Sequence, residues 1–579
     1  MASSKFYLEA PSRLRAIVRA RESALIAIAV VIGAASGLFV VAMSSAVELL
    51  HVKLFAIPPG TRLSAQLHID PLYAVCVPTI GGLILGLVTL ALLRWRPARE
   101  IDPIEANALY GGYMSFRGSI IVALQTVWSS GVGGSVGLEA GYTQIGSGVA
   151  SSFGRAFHLR RADQRIMVGC GAAAAIAGAF NAPLAGAFYA FELILGSYTP
   201  ASLAPIGVSA VVGYAVTHAI APLPLGIAVN AVGQISGQDL FIASALGVVC
   251  GLTGIAIMRG VALFDAVLSK ANIWQPMRPA IGGLIVGLLA LVTPQVMASG
   301  HGALQLDNMA AMSAAAIGMI FVLKAMASIV SLGAGFRGGL FFASLLLGSL
   351  GGHLFASALT AVGLSPDFNA YTIIGMSALS ASIIGGPLTM SFLTLEATGN
   401  FLLTTAVLAA VIISMQVTRE LFGYTFATWR FHLRGETIRS AADVGWIREL
   451  TVSRMMRTDV VTADADMPLE EFRRQYPLGS KTQIVAVNTD KGYAGVIFVA
   501  DAYALESNAA TLRDLLRYPG ATLFPGMDVQ QAVTAFDAAE AESLAVIDPS
   551  SGEVIGILTE AHALRRYTEE LDRRRRDVV

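Results

Sequence analysis

The sequence predicts an all-α polytopic membrane domain followed by a smaller soluble α/β domain. Three observations carry that prediction: long apolar stretches almost empty of charge, a near-repeat of one such stretch about two hundred residues later, and an abrupt return to charged, mixed composition after about Gly435. Hydrophobic residues make up 55% of the chain and charged ones 13%, against about 25% charged in soluble proteins. From Gly171 to Thr418 eleven charged residues occur, among them Glu192, Lys324, Arg337 and Glu396. No soluble domain of that size is so sparsely charged.

Apolar segments fill 24–50, 72–93, 119–150, 166–196, 203–220, 242–268, 281–297, 311–330, 340–362 and 371–417. The first follows Arg13, Arg15, Arg19 and Arg21, which superficially suggests a leader, but it exceeds the ~7–15 apolar residues of a cleaved signal. It reads as the first membrane helix. Its basic flank, with Arg94, Arg96 and Arg99 after the next span, favours the cytoplasm by the positive-inside bias. The expected location is the cytoplasmic (inner) membrane, with both termini cytoplasmic. Several segments are broken by glycine or proline, or differ in length from the ~20 residues of one clean span. Irregular backbone at membrane depth survives where protein or a water-filled cavity satisfies it, so broken helices hint at a transport site.

The formal net charge is zero. Nucleic acid is therefore no partner, because its binders need a basic face; the lipid bilayer is. Cys76, Cys170 and Cys250 sit in apolar stretches without metal-ligand spacing and read as small hydrophobes.

The repeat pairs GAAAAIAGAFNAPLAGAFYAFE, 171–192, with GMSALSASIIGGPLTMSFLTLE, 375–396, at an offset of 204. Pro183 matches Pro387, Leu184 Leu388, Phe188 Phe392 and Glu192 Glu396. An earlier pair, Gly137-Leu-Glu-Ala-Gly141 and Gly339-Leu-Phe-Phe-Ala343, lies at an offset of 202. Two related halves are the architecture of many transporters, with the site where the repeats meet. The soluble part has its own repeat, with alternating strands at 482–487 and 543–547 and runs ending at Asp501 and His562.

A pore for anions needs positive potential without a mobile cation that traps the ion, and helix N-termini supply it through unpaired amides and the macrodipole. Glycine-rich turns entering apolar helices, 131–141 and 333–341, build such ends, although close helix packing through small residues is the blander reading. Glu139 inside the first turn shifts the balance, because an intramembrane carboxylate costs about 2.5–3.5 kcal/mol or more and is functional by default. At a helix end it competes with the transported anion. Protonating it or swinging it out releases the site, which defines a gate.

These residues carry a family resemblance. GLEAGYTQIG at 137–146 resembles the GREGP motif of the CLC chloride channel and transporter family, AGAFNAPLAG at 177–186 the helix that follows it, and GAGFRGGLFFASLLLG at 333–348 the GxFxP region. The resemblance implies an inverted-repeat helical protomer, a homodimer with one pore per subunit, and transport of chloride or another small anion. It assigns the gate to Glu139 and the central anion site to Gly339, Leu340 and Phe341, with the amides of Leu340 and Phe341 facing the ion. Leu138 stands where the motif has a basic residue, Gly141 and Ala343 where the two motifs have proline, and Arg337 either anchors at the interface or adds positive potential. The family's serine-bearing motif falls at 99–103, where one alignment puts Glu100 and another Arg99 at the serine; Arg99 is the candidate that would bind an anion. The inner tyrosine falls among Tyr424, Phe426 and Ala427, with Ala427 or Phe426 favoured. Glu192 matches a structural acid, so the exchangers' proton-handling glutamate corresponds to Leu193, which cannot carry a proton.

The tail resembles a tandem pair of CBS domains, 451–507 and 511–570, after a transmembrane domain at 1–435. Such pairs often hold an adenine nucleotide through a hydroxyl and an aspartate three residues later. Here Asp501 follows Phe498, and Thr559 precedes His562, so each half-site is incomplete and a structural dimerisation role is favoured, with no cofactor required. The expected function is an anion channel or uncoupled transporter, with a proton-coupled antiporter as the alternative. A cation transporter needs clustered oxygen ligands, which the scattered Glu139, Glu192 and Glu396 do not form. An enzyme needs paired catalytic groups that the core lacks.

Overall fold

A computed structural model of the chain describes residues 10–20, 22–95, 100–221, 237–304, 312–432, 450–489, 492–504, 511–566 and 569. The chain divides into two compact units, Met1–Asp443 and Val444–Val579.

The first unit is helical. It opens with α1 (Ser12–Ala20), α2 (Glu22–Phe55), α3 (Pro71–Trp95), α4 (Pro103–Leu109), α5 (Phe116–Gly131), α6 (Glu139–Ala156), α7 (Arg161–Phe180), α8 (Pro183–Tyr189) and α9 (Pro200–Ile220). It continues with α10 (Gly237–Lys270), α11 (Met277–Ala290), α12 (His301–Leu304), α13 (Ala314–Ala334), α14 (Phe341–Ala361), α15 (Phe368–Ile384), α16 (Pro387–Thr398), α17 (Phe401–Leu421) and α18 (Phe426–His432). Seven stretches among the described residues are long and apolar enough to cross a membrane, and this is a multi-pass membrane protein. Large side chains such as Leu38, Ile80 and Leu263 stay exposed on these helices, as a lipid-facing surface requires.

Apolar segments that read as single stretches are broken in space. The 119–150 segment splits at a turn between α5 and α6, and the 371–417 segment becomes α15, α16 and α17. Each break has a local cause. Asn181 takes the left-handed conformation that ends α7, and Pro183 opens α8; Gly385 at φ +90° ends α15, and Pro387 opens α16.

The two halves repeat this plan. Helix α2 packs on α9 as α10 packs on α17, and α6 lies against α7 as α14 lies against α15. In both halves a glycine pair sets the approach: a Cβ on Gly146 would fall 2.5 Å from the Gly171 carbonyl oxygen, and one on Gly348 would fall 2.4 Å from that of Gly375. Across the divide, α8 packs on α16 and α3 on α11. Phe188 and Phe392, equivalent in the repeat, stack with ring centroids 4.2 Å apart and planes 17° apart, as mates beside a local two-fold do. The two halves thus meet as mates of an internal repeat, as the resemblance implies.

The second unit is α/β. Two three-stranded sheets, β1 (Thr462–Asp464), β2 (Gln483–Val487), β3 (Tyr493–Phe498) and β4 (Thr522–Leu523), β5 (Ser543–Ile547), β6 (Val554–Thr559), share one topology. In each, the first strand pairs parallel with the second and the second antiparallel with the third, with an irregularity at Ala486/Val487 and again at Val546/Ile547. Helices Leu469–Gln475 and Val529–Ala539 make the parallel crossovers, burying Phe472 and Phe536 against their sheets.

Candidate anion pathway

Helices that end inside the first unit build the site. Just before α6 and α14, Gly137 and Gly339 form an antiparallel bridge, Gly137 N–H donating to Gly339 O at 2.9 Å and Gly339 N–H to Gly137 O at 3.1 Å. These glycines are repeat mates, so two helix N-termini converge across the pseudo-symmetry. Neither N-cap, Leu138 or Leu340, supplies a side-chain acceptor. The first-turn amides therefore lack helical partners, and the positive ends of two macrodipoles face one region.

Glu139 occupies that region. It is 3% exposed, and its Oε1 accepts from the Phe342 amide at 3.3 Å, while Oε2 has no hydrogen-bond partner among the described residues. The carboxylate folds back over the bridge. A Cβ on Gly137 would lie 2.0 Å from Oε2, and one on Gly339 3.2 Å from it. The repeat mate of Glu139 is Phe341, so one acid serves two helix ends.

The other broken helices are closed differently. Glu396 accepts from the Leu184 and Ala185 amides at the start of α8, at 2.7 and 2.9 Å. Glu192 accepts from the Leu388 and Thr389 amides at the start of α16, both at 2.9 Å, and from the Thr389 hydroxyl at 2.6 Å. Those two N-termini are each held by two or more bonds, whereas the α14 amides give the Glu139 carboxylate one, from Phe342.

A cavity of about 150 Å³ lies against Glu139 and is lined also by Gly339, Leu340 and Phe341, by Leu193, and by Phe426 and Ala427 at the start of α18. Residues nominated from distant parts of the sequence thus meet in one place. Tyr424 is not among its walls, and Arg337 is. Arg99 lies outside the described residues. Glu100 lines the cavity, and Asp102, which also lines it, caps α4 by accepting from the Ile104 amide at 2.9 Å. Helix α8 runs into a π-helical turn, Ala190–Leu195, where Leu193 faces the cavity while the adjacent Glu192 turns to α16. One lining side chain, Tyr189, went unnoticed in the sequence; it stands four residues before Leu193, a spacing that puts both on one helical face.

In the second unit, Asp501 forms an ion pair with Arg517 at 2.7 Å, and the same guanidinium lies over the Phe498 ring at 5.3 Å. The Thr559 hydroxyl accepts from the His562 amide at 3.3 Å. Asp466 is bonded by Arg513, whose guanidinium holds its carboxyl below the usual carboxylate range.

A helical inverted repeat with opposed N-termini around one buried carboxylate defines a membrane anion-pathway protein. The chain belongs to the voltage gated chloride channel family, whose pattern matches residues 81–419. It is 30% identical over 403 residues to the voltage-gated ClC-type chloride channel ClcB of Salmonella typhimurium, covering 68% of this chain and 95% of the relative. Among solved structures it resembles a slow cyanobacterial Cl−/H+ antiporter, with a TM-score of 0.60 and 21% identity over 71% of this chain and 97% of that one. It also resembles a eukaryotic CLC transporter, with a TM-score of 0.56 and 16% identity over 95% of this chain and 98% of the other. At these identities the two structures share the fold.

Proposed function

We propose that the protein is a chloride or small-anion channel, or an uncoupled transporter, gated by Glu139. The observation that carries this reading is the placement of the Glu139 carboxylate at the α14 amides, folded over the Gly137–Gly339 bridge beside the cavity. An anion and the carboxylate compete for the same donors, so protonation or outward rotation of Glu139 opens the path. The anion approaches Leu340 and Phe341 from the cavity, with Ala427 and Phe426 on the inner wall. The presence of Leu193 where coupling would need an acid supports uncoupled flow. Glu100 and Asp102 on the cavity wall favour a second reading, proton-coupled antiport along another route.

On this reading the protein is a homodimer of the cytoplasmic membrane, with both termini cytoplasmic and a tandem CBS pair at 451–507 and 511–570. The Asp501–Arg517 ion pair occupies the acid that a nucleotide's ribose would need, which supports a structural pair over a nucleotide sensor. Isotopic chloride efflux from liposomes containing the purified protein, repeated with substituted anions, tests the reading. Efflux above that of empty liposomes is expected; none at any external pH would overturn it.

A further inference from the structure

We infer that Lys324 is a positioning residue for the Glu139 gate: its ammonium pins the irregular connector between α11 and α12, and that connector braces the two helix ends between which the carboxylate sits. The inference rests on Glu139 acting as the gate and adds the element that holds its seat.

Lys324 lies on α13 and is fully buried, and among the described residues no carboxylate pairs with it. An ionisable group at membrane depth is functional by default. Its Nζ donates to Val296 O at 3.1 Å and to Ala298 O at 2.8 Å. Those carbonyls belong to a connector made of a short 3-10 turn, Pro294–Val296, and irregular backbone in which Ala298 takes φ +50° and Gly300 φ +93°. Irregular backbone at membrane depth needs partners for its carbonyls, and a left-handed alanine persists only where its surroundings fix it. The lysine supplies two of those partners. The repeat itself does not demand it. Ser331 accepts from the Ser135 amide as Ser129 accepts from that of Arg337, each at 3.0 Å, and in this register, an offset of 202, the mate of Lys324 is Val122.

The connector touches both ends of the site. Ala298 N–H donates to Gly133 O at 3.2 Å, and a Cβ on Gly133 would fall 2.6 Å from Met297 Cε, so the connector rests on the turn that leads into α6. On its other side the His301 ring packs on that of Phe342, and a Cβ on Gly300 would fall 2.7 Å from Leu346 Cδ2 on α14. Phe342 is the residue whose amide donates to Glu139 Oε1. One ammonium therefore fixes the piece of backbone that reaches from the Gly133 turn to the first turn of α14. Releasing it lets the two ends shift apart, weakens the hold on the carboxylate and favours the anion that competes for the same amides.

The test measures chloride efflux from liposomes over a range of chloride concentrations for the full-length wild type, Lys324→Met, Glu139→Gln and the double variant. Methionine keeps the apolar stem and removes the donors. Lys324→Met is expected to lower the half-saturating chloride concentration by about threefold or more without lowering maximal flux per folded protein, a shift within the range of residues that act through a neighbour. In the Glu139→Gln background the same substitution should change nothing, because the charge it would release is already gone. A lysine that only stabilises the fold would reduce yield or maximal flux and leave half-saturation unchanged, and that result overturns the inference. An equal shift in both backgrounds overturns it too. A Glu139→Gln variant with wild-type half-saturation would instead overturn the gate, and the inference with it. Should Lys324→Met fail to fold, Met297→Ala removes the connector's side-chain contact with Gly133 and keeps both lysine bonds. The same downward shift, absent in the Glu139→Gln background, is then expected, and an unchanged value overturns the inference.

Discussion

Glu192 and Glu396, equivalent acids 204 positions apart, each cap the broken helix that begins in the opposite half of the repeat. Each carboxylate satisfies two amides that no helix can satisfy internally, and together they clasp α8 to α16 around the stacked Phe188 and Phe392.

Removing either acid should destabilise the membrane unit. Glu192→Ala leaves the Leu388 and Thr389 amides and the Thr389 hydroxyl without their acceptor, and Glu396→Ala does the same to Leu184 and Ala185. Hydrogen bonds to charged groups contribute about 1.5–3 kcal/mol each. Both variants should unfold at lower temperature in detergent, and the double variant should depart from additivity because the two clasps share one helix pair. Two single variants with the wild-type unfolding midpoint would show the clasp to be dispensable.

Gly137→Ala should displace Glu139. The new Cβ would lie 2.0 Å from Oε2 and 2.6 Å from Cδ, and the carboxylate, at the end of a rotatable side chain, gives way before the backbone bridge does. Anion efflux from liposomes should rise. Wild-type efflux with wild-type pH dependence would mean that the carboxylate can rest elsewhere without opening the path.

Glu139→Gln keeps the size of the side chain and removes its charge. An amide competes poorly with an anion at a helix N-terminus, so chloride flux should rise or lose its dependence on external pH. If the pH dependence persists in this variant, the titrating gate is another group.

Truncation after Gly435 should leave anion flux in place, because every described residue around the cavity precedes that point. The measurement is efflux from liposomes containing the truncated chain, after gel filtration has shown it monodisperse. A folded truncation without flux would make the tail part of the conducting unit.

What the sequence disclosed follows from what kinds of residue announce themselves. A buried acid between glycines marked Glu139, and proline after a small-residue run marked the starts of α8 and α16. The offset repeat brought Gly137 and Gly339 into correspondence, yet their mutual bridge was invisible, because an offset states equivalence and not contact. The exchange of caps between Glu192 and Glu396 was hidden for the same reason. Tyr189 escaped notice because a tyrosine in an apolar helix reads as packing; its place on the cavity wall is what the structure adds. The alternative between Arg99 and Glu100 stands, because Arg99 lies outside the described residues; Glu100 and Asp102 both line the cavity, with Asp102 also capping α4.

Coupling is the last expectation. An exchanger must pass each proton from the cytoplasm to the gate through groups that bind it. Glu192 is unsuited, since its two oxygens are held by three donors on α16 and it faces away from the cavity that Leu193 lines. Asp102 is tied to the Ile104 amide, where its charged form is the one that caps α4. Tyr189 can relay a proton but supplies no net acceptor at neutral pH. Chloride movement should therefore be passive. Proteoliposomes carrying an outward chloride gradient, with voltage clamped by valinomycin and potassium, should show no uphill proton uptake. Uptake in fixed ratio to chloride would overturn uncoupled flow and direct attention to Glu100, whose replacement by Gln should then abolish the proton flux while chloride continues to move.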